Sequence, residues 1–207
     1  VGEERKPSSP KSPKTDNPEK TLIVGGGAAG FAAAEMLRRH DYKGCIVILS
    51  SDDAPPVDRP NLSKDYLAGS APEDWLPLKP DDFFSETKID LRVRTPVIGL
   101  DTKTREITTA AGIVDYDRLL LATGAEPVRL QIPVADLPHV HTLRSLDDRR
   151  AIIDAAKAAR RVVVIGASFI GLEVAASLRA RDIEVHVVAP EKRPMEKVLG
   201  AEMGDFV

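Results

Sequence analysis

Residues Thr21–Gly30 read TLIVGGGAAG, and the run FAAAEMLRRH follows at once. A short apolar run of β character meets glycines spaced G-x-G-x-x-G (Gly25, Gly27, Gly30) and then an alanine-rich helical pattern. Each glycine has its own task in a dinucleotide fold: Gly25 for the tight strand-to-helix turn, Gly27 for close approach of a pyrophosphate, Gly30 for helix–strand packing. The helix N-terminus then presents unpaired N–H groups and a partial positive charge to the phosphates. The motif alone is weak; its place between a strand and a helix makes it specific.

Working outward, Arg161–Gly171 reads RVVVIGASFIG, followed by the helical LEVAASLRARD and the buried-strand pattern IEVHVVAP. Two strand–turn–helix–strand units point to two dinucleotide sites, and so to an electron or hydride relay more than to a single-cofactor dehydrogenase.

The 207 residues suffice for one or two packed domains, and 43% hydrophobic with 29% charged content is ordinary for a soluble globular chain. A net charge of −3 gives no reason to expect nucleic acid or an acidic membrane surface. No apolar run has transmembrane length and the N-terminus lacks a signal-peptide core, so a cytoplasmic location is expected. Cys45, the single cysteine, lies in the strand-like CIVIL and reads as a small buried hydrophobe. One cysteine excludes an intrachain redox disulfide or a cysteine-rich metal site within this sequence.

Residues 1–19 carry four prolines and many charges, the composition of a flexible linker or tail. Strand and helix patterns then cover 20–24, 28–39 and 45–49, with Ala29, Ala33, Met36 and Leu37 on one helical face and His40 at the helix end. The proline-rich stretch 50–80 is too long for a simple connector. Within it a short helix carrying Lys64 is expected over 61–67, and another from Pro80 to Glu86. Trp75, Phe83 and Phe84 are expected to pack this loop. From Ile89 the short strands DLRV, TPVIGLD and REITTA, with turns near 101–103 and 111–112, predict a small antiparallel insert. A buried strand at 118–123 ends at Gly124. Ser145 caps a helix expected to reach Ala159, with Asp147 and Asp148 in its first turn. The second unit stops after its second strand and GAEMGDFV, so the chain is expected to be a fragment.

Four stretches in this order, VGGGAAG (24–30), DRPNLSKDYL (58–67), YDRLLLATGAEP (116–127) and VVVIGASFIGLEVA (162–175), resemble the FAD-dependent pyridine nucleotide–disulphide oxidoreductases. The likeness is to the branch of ferredoxin and rubredoxin reductases and apoptosis-inducing-factor-like proteins, which lacks the redox disulphide. It covers about residues 20–200. The resemblance implies an α/β fold: a Rossmann-like FAD-binding domain with an antiparallel β insert over 20–140, then the start of a Rossmann-like NAD(P)-binding domain over 141–207.

It also implies site residues. Gly25, Gly27, Ala29 and Gly30 would line the FAD pyrophosphate. Ser51 stands where the family carries a ribose-binding acid, with Asp52 beside it as a substitute. Arg59 and Lys64 match the basic residues that reach the flavin and pyrophosphate. Val97 matches a position contacting adenine, and core packing accounts for it equally well. Ala122, Thr123 and Gly124 match the A-T-G turn passing close to FAD. Gly166, Ser168, Ile170 and Gly171 take the corresponding place for the nicotinamide nucleotide, with Ser168 replacing the middle glycine. Glu173 matches a glutamate that pairs with the lysine at Lys64 beside the reactive flavin edge. Ala189 occupies the second strand-end acid position, with Glu191, Lys192 and Arg193 following, so NADH and NADPH both stay open.

The function implied is a flavoprotein reductase passing hydride from NAD(P)H to FAD and then electrons to a ferredoxin-like or Rieske iron–sulphur protein. The fragment itself is expected to show no turnover. The alternative is a low-turnover flavin- or nucleotide-binding signalling module of apoptosis-inducing-factor type. No Ser/His/Asp or metal constellation is evident, and His139, His141 and His186 read as structural.

Overall fold

A computed structural model describes residues 19–207, so the linker reading of 1–19 falls, but for Glu19, outside the described residues. The chain forms two compact units: residues 19–56 with 78–125, and 57–77 with 126–207.

The first unit is built on a parallel sheet of order β3-β2-β1-β7, comprising β1 (Lys20–Val24), β2 (Cys45–Leu49), β3 (Ile89–Arg92) and β7 (Arg118–Leu121). Side chains alternate across its two faces. Leu22, Val24, Val47 and Leu49 pack with Ile107 and Tyr116 on one side. Ile23, Ile46, Ile48 and Ile89 pack with Ala34 of α1 (Ala28–Arg39) on the other. The strand DLRV thus pairs parallel with β2 and belongs to the main sheet, not to the insert. The antiparallel insert is β4 (Val97–Asp101), β5 (Glu106–Thr109) and β6 (Gly112–Asp115). Its first turn is held by Asp101 Oδ1, which accepts from the N–H groups of Lys103 and Thr104 at 2.7 and 3.1 Å.

Several side chains lie differently from the sequence expectation. The buried face of α1 runs through Gly30, Phe31 and Ala34, while Ala29 and Met36 are exposed. Ala33 and Leu37 pack against the core as expected, and the Arg38 guanidinium donates to the carbonyls of Thr87, Tyr42, Gly44 and Lys88 at 2.7–2.9 Å, clasping the helix end to the entry of β3. Cys45 is exposed because it opens β2, at the rim of the sheet rather than its middle. The strand 118–121 is partly exposed, as an edge strand of the sheet. Phe83 and Phe84, in α3 (Phe83–Glu86), pack edge-on with Phe31, as expected of them; Trp75 is exposed.

The second unit contains a parallel pair, β8 (Arg161–Ile165) and β9 (Glu184–Val188), with α4 (Leu146–Ala156), α5 (Phe169–Arg179) and α6 (Glu196–Phe206). Helix α4 opens with a capping box, Ser145 Oγ accepting from Asp148 N and Asp148 Oδ2 from Ser145 N. It closes at Ala156, three residues before the expected end. Both strands are apolar yet half exposed, since the helices cover one face of a two-stranded ribbon. The segment 57–77 packs here: a 3₁₀ turn (Arg59–Ser63) and α2 (Asp65–Ala68) bring Leu67 into a core with Ala156, Leu178 and Ile183. Ser177 Oγ donates to Ser63 O at 2.8 Å, and Arg181 Nε donates to Leu67 O.

Candidate functional site: two glycine turns and a lysine–glutamate pair

In the first unit the chain leaves β1 through Gly25, at φ +113°, a conformation that L side chains rarely adopt. A Cβ on Gly25 would lie 2.1 Å from the Ala122 carbonyl oxygen, so the turn and the A-T-G stretch touch backbone to backbone. A Cβ on Gly30 would lie 2.0 Å from Gly25 O, which is how closely the helix closes on the turn. Gly27 is the N-cap and contributes no side-chain cap, and the first helical bond runs from Phe31 N to Gly27 O at 2.9 Å. The N–H groups of Ala28, Ala29 and Gly30 therefore have no acceptor within the helix.

The second unit repeats this geometry. Gly166 has φ +116°, and a Cβ on Gly171 would lie 2.1 Å from Gly166 O. Gly166 N donates to Val188 O at 2.8 Å, as Gly25 N does to Leu49 O at 2.8 Å. Leu172 N reaches Ser168 O at 3.0 Å, and Ser168 takes the N-cap without using its hydroxyl as a cap. Ile170 is exposed at the start of α5. Neighbouring α5 backbone therefore has donors to offer an anion, with the Ser168 side chain beside them.

Beyond β2, Ser51 is exposed, and Asp52 N donates to Ser50 Oγ at 3.3 Å. Sequence reasoning passed over Ser50. It is buried, and a Cβ on Gly26 would come within 2.6 Å of its hydroxyl; the extra glycine of VGGGAAG is the signal that pointed there. Val97 packs against the Leu22–Tyr116 cluster, the core-packing account left open for it. Thr123 and Gly124 are exposed just past β7, with Gly124 at φ +74°.

Lys64 and Glu173 meet within the second unit, Nζ to Oε1 at 3.4 Å, and both are partly exposed. Ser63, also passed over, donates to Glu173 Oε2 at 2.6 Å. Its place directly before Lys64 in the 58–67 stretch could have flagged it. Arg59 opens the 3₁₀ turn of the same segment. Glu191 pairs with Lys197 at 2.5 Å, which holds its carboxyl below the usual range. His186 lies exposed, 2.8 Å from Glu184 Oε1. Among the described residues no helix is long and apolar enough to cross a membrane, and no group of three or more His, Cys, Asp or Glu could hold a metal ion.

The family profile described as pyridine nucleotide-disulphide oxidoreductase matches residues 19–207. The chain is 38% identical over 186 residues to rhodocoxin reductase of Rhodococcus erythropolis, covering 89% of this chain and 44% of that protein. It is 37% identical to apoptosis-inducing factor 3 of Homo sapiens, covering 88% and 30% respectively. Among solved structures, a ferredoxin reductase from Rhodopseudomonas palustris superposes with a TM-score of 0.86 at 38% identity, covering 91% of this chain and 46% of that one. The covalent putidaredoxin reductase–putidaredoxin complex gives 0.85 at 33%, with the same coverage. The chain thus spans less than half the length of these proteins.

Proposed function

Because the chain belongs to the pyridine nucleotide-disulphide oxidoreductase family, whose members are FAD- and NAD(P)H-binding oxidoreductases, we propose that it forms the flavin-binding unit and the opening of the nicotinamide unit of an NAD(P)H:acceptor reductase. The observation that carries this is the repeated turn: Gly25 and Gly166 stand at φ +113° and +116°, and a Cβ on Gly30 or Gly171 would lie 2.0 or 2.1 Å from the oxygen of Gly25 or Gly166. In each turn the first glycine has a positive φ and the last lets the helix close on it, and a helix N-terminus with unused donors follows, so each fits a dinucleotide pyrophosphate. In the first unit Gly25, Gly27, Ala29 and Gly30 hold FAD, with the Ala122–Gly124 turn and the Ser51–Asp52 end of β2 completing the site. When bound, the flavin accepts hydride equivalents and releases electrons singly.

In the second unit Gly166, Ser168, Ile170 and Gly171 receive the nicotinamide nucleotide, and Glu191 meets its adenosine ribose. Arg59 and Lys64 are the basic residues that the family likeness assigns to the flavin and its pyrophosphate, and Glu173, held by Ser63, pairs with the Lys64 ammonium. The acceptor is a ferredoxin-like or Rieske iron–sulphur protein. This rests on the kinship with a ferredoxin reductase and with a reductase solved joined to its putidaredoxin. The location proposed is cytoplasmic.

The test is to purify the intact protein, record flavin absorbance and follow its bleaching by NADH or NADPH, then repeat with added ferredoxin. A colourless protein would sink the proposal. Slow bleaching with no gain from ferredoxin would favour the low-turnover signalling alternative, for which the 37% identity to apoptosis-inducing factor 3 speaks.

Two variants sharpen the test. Glu173→Gln should change stability by no more than about 1 kcal/mol, as for other partly exposed pairs. It should slow flavin reduction on the order of tenfold or more, through loss of Lys64 orientation, read by stopped-flow absorbance. Ser168→Gly removes a side chain from the nucleotide path and costs α5 only a few tenths of a kcal/mol as an N-cap change. Nicotinamide nucleotide affinity should rise several-fold, on the order of a 1 kcal/mol gain, in a calorimetric titration. A drop in affinity would show that the hydroxyl contributes a bond.

A further inference from the structure

Helix α5 meets the 58–67 stretch with polar side chains four residues apart: Glu173 and Ser177 within the helix, Arg181 just past its end. Residues at that spacing share one helical face. Each grips the stretch at its own level. Glu173 Oε2 accepts from Ser63 Oγ at 2.6 Å. Ser177 Oγ donates to Ser63 O at 2.8 Å and lies 3.2 Å from Lys64 O. Arg181 Nε donates to Leu67 O. The grips climb the stretch as the helix climbs beside it.

The ion pair inside this ladder does not hold itself. Lys64 Nζ lies 3.4 Å from Glu173 Oε1, and the two side chains are 46% and 31% exposed. A pair this open gains little and spends side-chain entropy to stay together. The serines are placed otherwise. Ser63 and Ser177 are 4% and 6% exposed, so water does not compete for their hydroxyls. The single Ser63 hydrogen has two acceptors in reach, Glu173 Oε2 at 2.6 Å and Pro60 O at 3.2 Å. The shorter contact is in the range of a hydroxyl bonded to an ionised oxygen, and it wins. Ser63 thus orients the carboxylate and leaves Oε1 to the lysine. Ser177, bound to the main chain at Ser63 and Lys64, sets where the lysine stem begins.

We propose that Ser177, acting with Ser63, positions the Lys64–Glu173 pair: α5 fixes the root of the lysine with one side chain and its ammonium with another. This rests on the reductase reading of that pair. Both serines are positioning residues, acting through Lys64 and Glu173.

The experiment follows flavin reduction in the intact protein by stopped flow over a range of NADH concentrations, beside flavin content and amide exchange read by mass spectrometry. Ser177→Ala and Ser63→Ala should each keep their flavin and lower the limiting reduction rate about fivefold or more, as displaced reacting groups do. The half-saturating NADH concentration should stay within about twofold, since binding contacts are untouched. Exchange across 63–67 should quicken in Ser177→Ala, which frees main chain, and not in Ser63→Ala. In a Glu173→Gln background Ser63→Ala should cost less than about twofold, because the carboxylate it orients is gone.

An unchanged rate in both variants overturns the proposal. So does a parallel loss of flavin, affinity and rate, the mark of general loosening, or an undiminished Ser63→Ala effect in the Glu173→Gln background. Should Ser177→Ala fail to fold, Ser63→Ala and its double variant decide. A colourless wild type sinks the reductase reading and the proposal with it, whereas a yellow protein with untouched rates sinks the proposal alone.

Discussion

Gly25→Ala is expected to destabilise the first unit by roughly 3 kcal/mol or more and to leave the purified protein without flavin, whereas Gly166→Ala costs only about 1–2 kcal/mol. Both glycines hold nearly the same backbone conformation, φ +113° and +116°, so the conformational cost of a Cβ is shared. The steric costs differ. At Gly25 the new carbon lands 2.1 Å from the Ala122 carbonyl oxygen and 2.6 Å from its carbon, and backbone cannot rotate aside as a side chain would. At Gly166, chain neighbours apart, no atom of the described residues lies within 4 Å of the new carbon. The cause is topological: β7 pairs with β1 and delivers Ala122 beside the turn, while among the described residues β8 pairs only with β9. Relief of the clash would separate β1 from β7 and move the A-T-G stretch with it. Thermal unfolding with simultaneous flavin fluorescence checks both halves; equal losses for the two variants would refute the steric account.

The second large effect runs the other way. Arg149→Met is expected to stabilise the second unit by about 1–3 kcal/mol at neutral pH, the range for relieving a buried polar group that lacks partners. Arg149 is fully buried, and among the described residues none of its three guanidinium nitrogens has a hydrogen-bond partner. Its compensation is the face of Tyr66, 4.6 Å from the guanidinium carbon. Burial, with Arg181 nearby as a smaller cause, pulls its pKa down to about 10. Methionine fills similar volume without the charge; Arg149→Ala would instead leave a cavity and lower stability.

The pH dependence separates this account from simple repacking. A base whose folded pKa is depressed holds fewer protons folded than unfolded, so the wild type gains stability as pH rises from about 10 toward the unfolded value. Tyr66 acts oppositely. Burial first, then Glu73, raises its pKa to about 12, so stability is lost between about pH 10 and 12 as the unfolded phenol ionises first. Arg149→Met removes the first effect and, with the Arg149 charge gone from beside the phenol, one of the influences that hold the Tyr66 pKa down. Its advantage over wild type should shrink above pH 10, measured by urea unfolding across pH 8–11.

Where local pattern decides conformation, the residues told enough. The G-x-G-x-x-G turn fixed the strand and helix limits around it, and the Ser145 cap with Asp148 marked the start of α4 to the residue. What failed depended on neighbours distant in sequence. Arg38 ties the end of α1 to Thr87 and Lys88, contacts that no periodicity within 28–39 contains. DLRV looks like the strands that follow it, yet its partner is β2, some forty residues earlier by register, Ile46 with Ile89. Of the candidate site, the glycines stood out by their spacing, while Lys64 and Glu173 were singled out only through the family resemblance, and the structure brings those two side chains together. Ser63 and Ser50 were not legible, because a serine acquires meaning only from the carboxylate or the glycine brought against it.

The chain passes between its two units three times, and residues 57–77 are claimed by the later one. During synthesis this has a cost in time. Ser63 and Glu173 are 110 positions apart, and Leu67 and the Arg181 that binds its carbonyl are 114 apart. At roughly 5–20 residues per second on the ribosome, the segment waits some 5–20 s for its partners. Through that interval Leu62, Leu67 and Leu76, each nearly inaccessible in the finished fold, stand bare to solvent. The segment that carries Lys64 therefore offers its apolar side chains to chaperones, proteases and neighbours on the polysome until residues 173–181 are made.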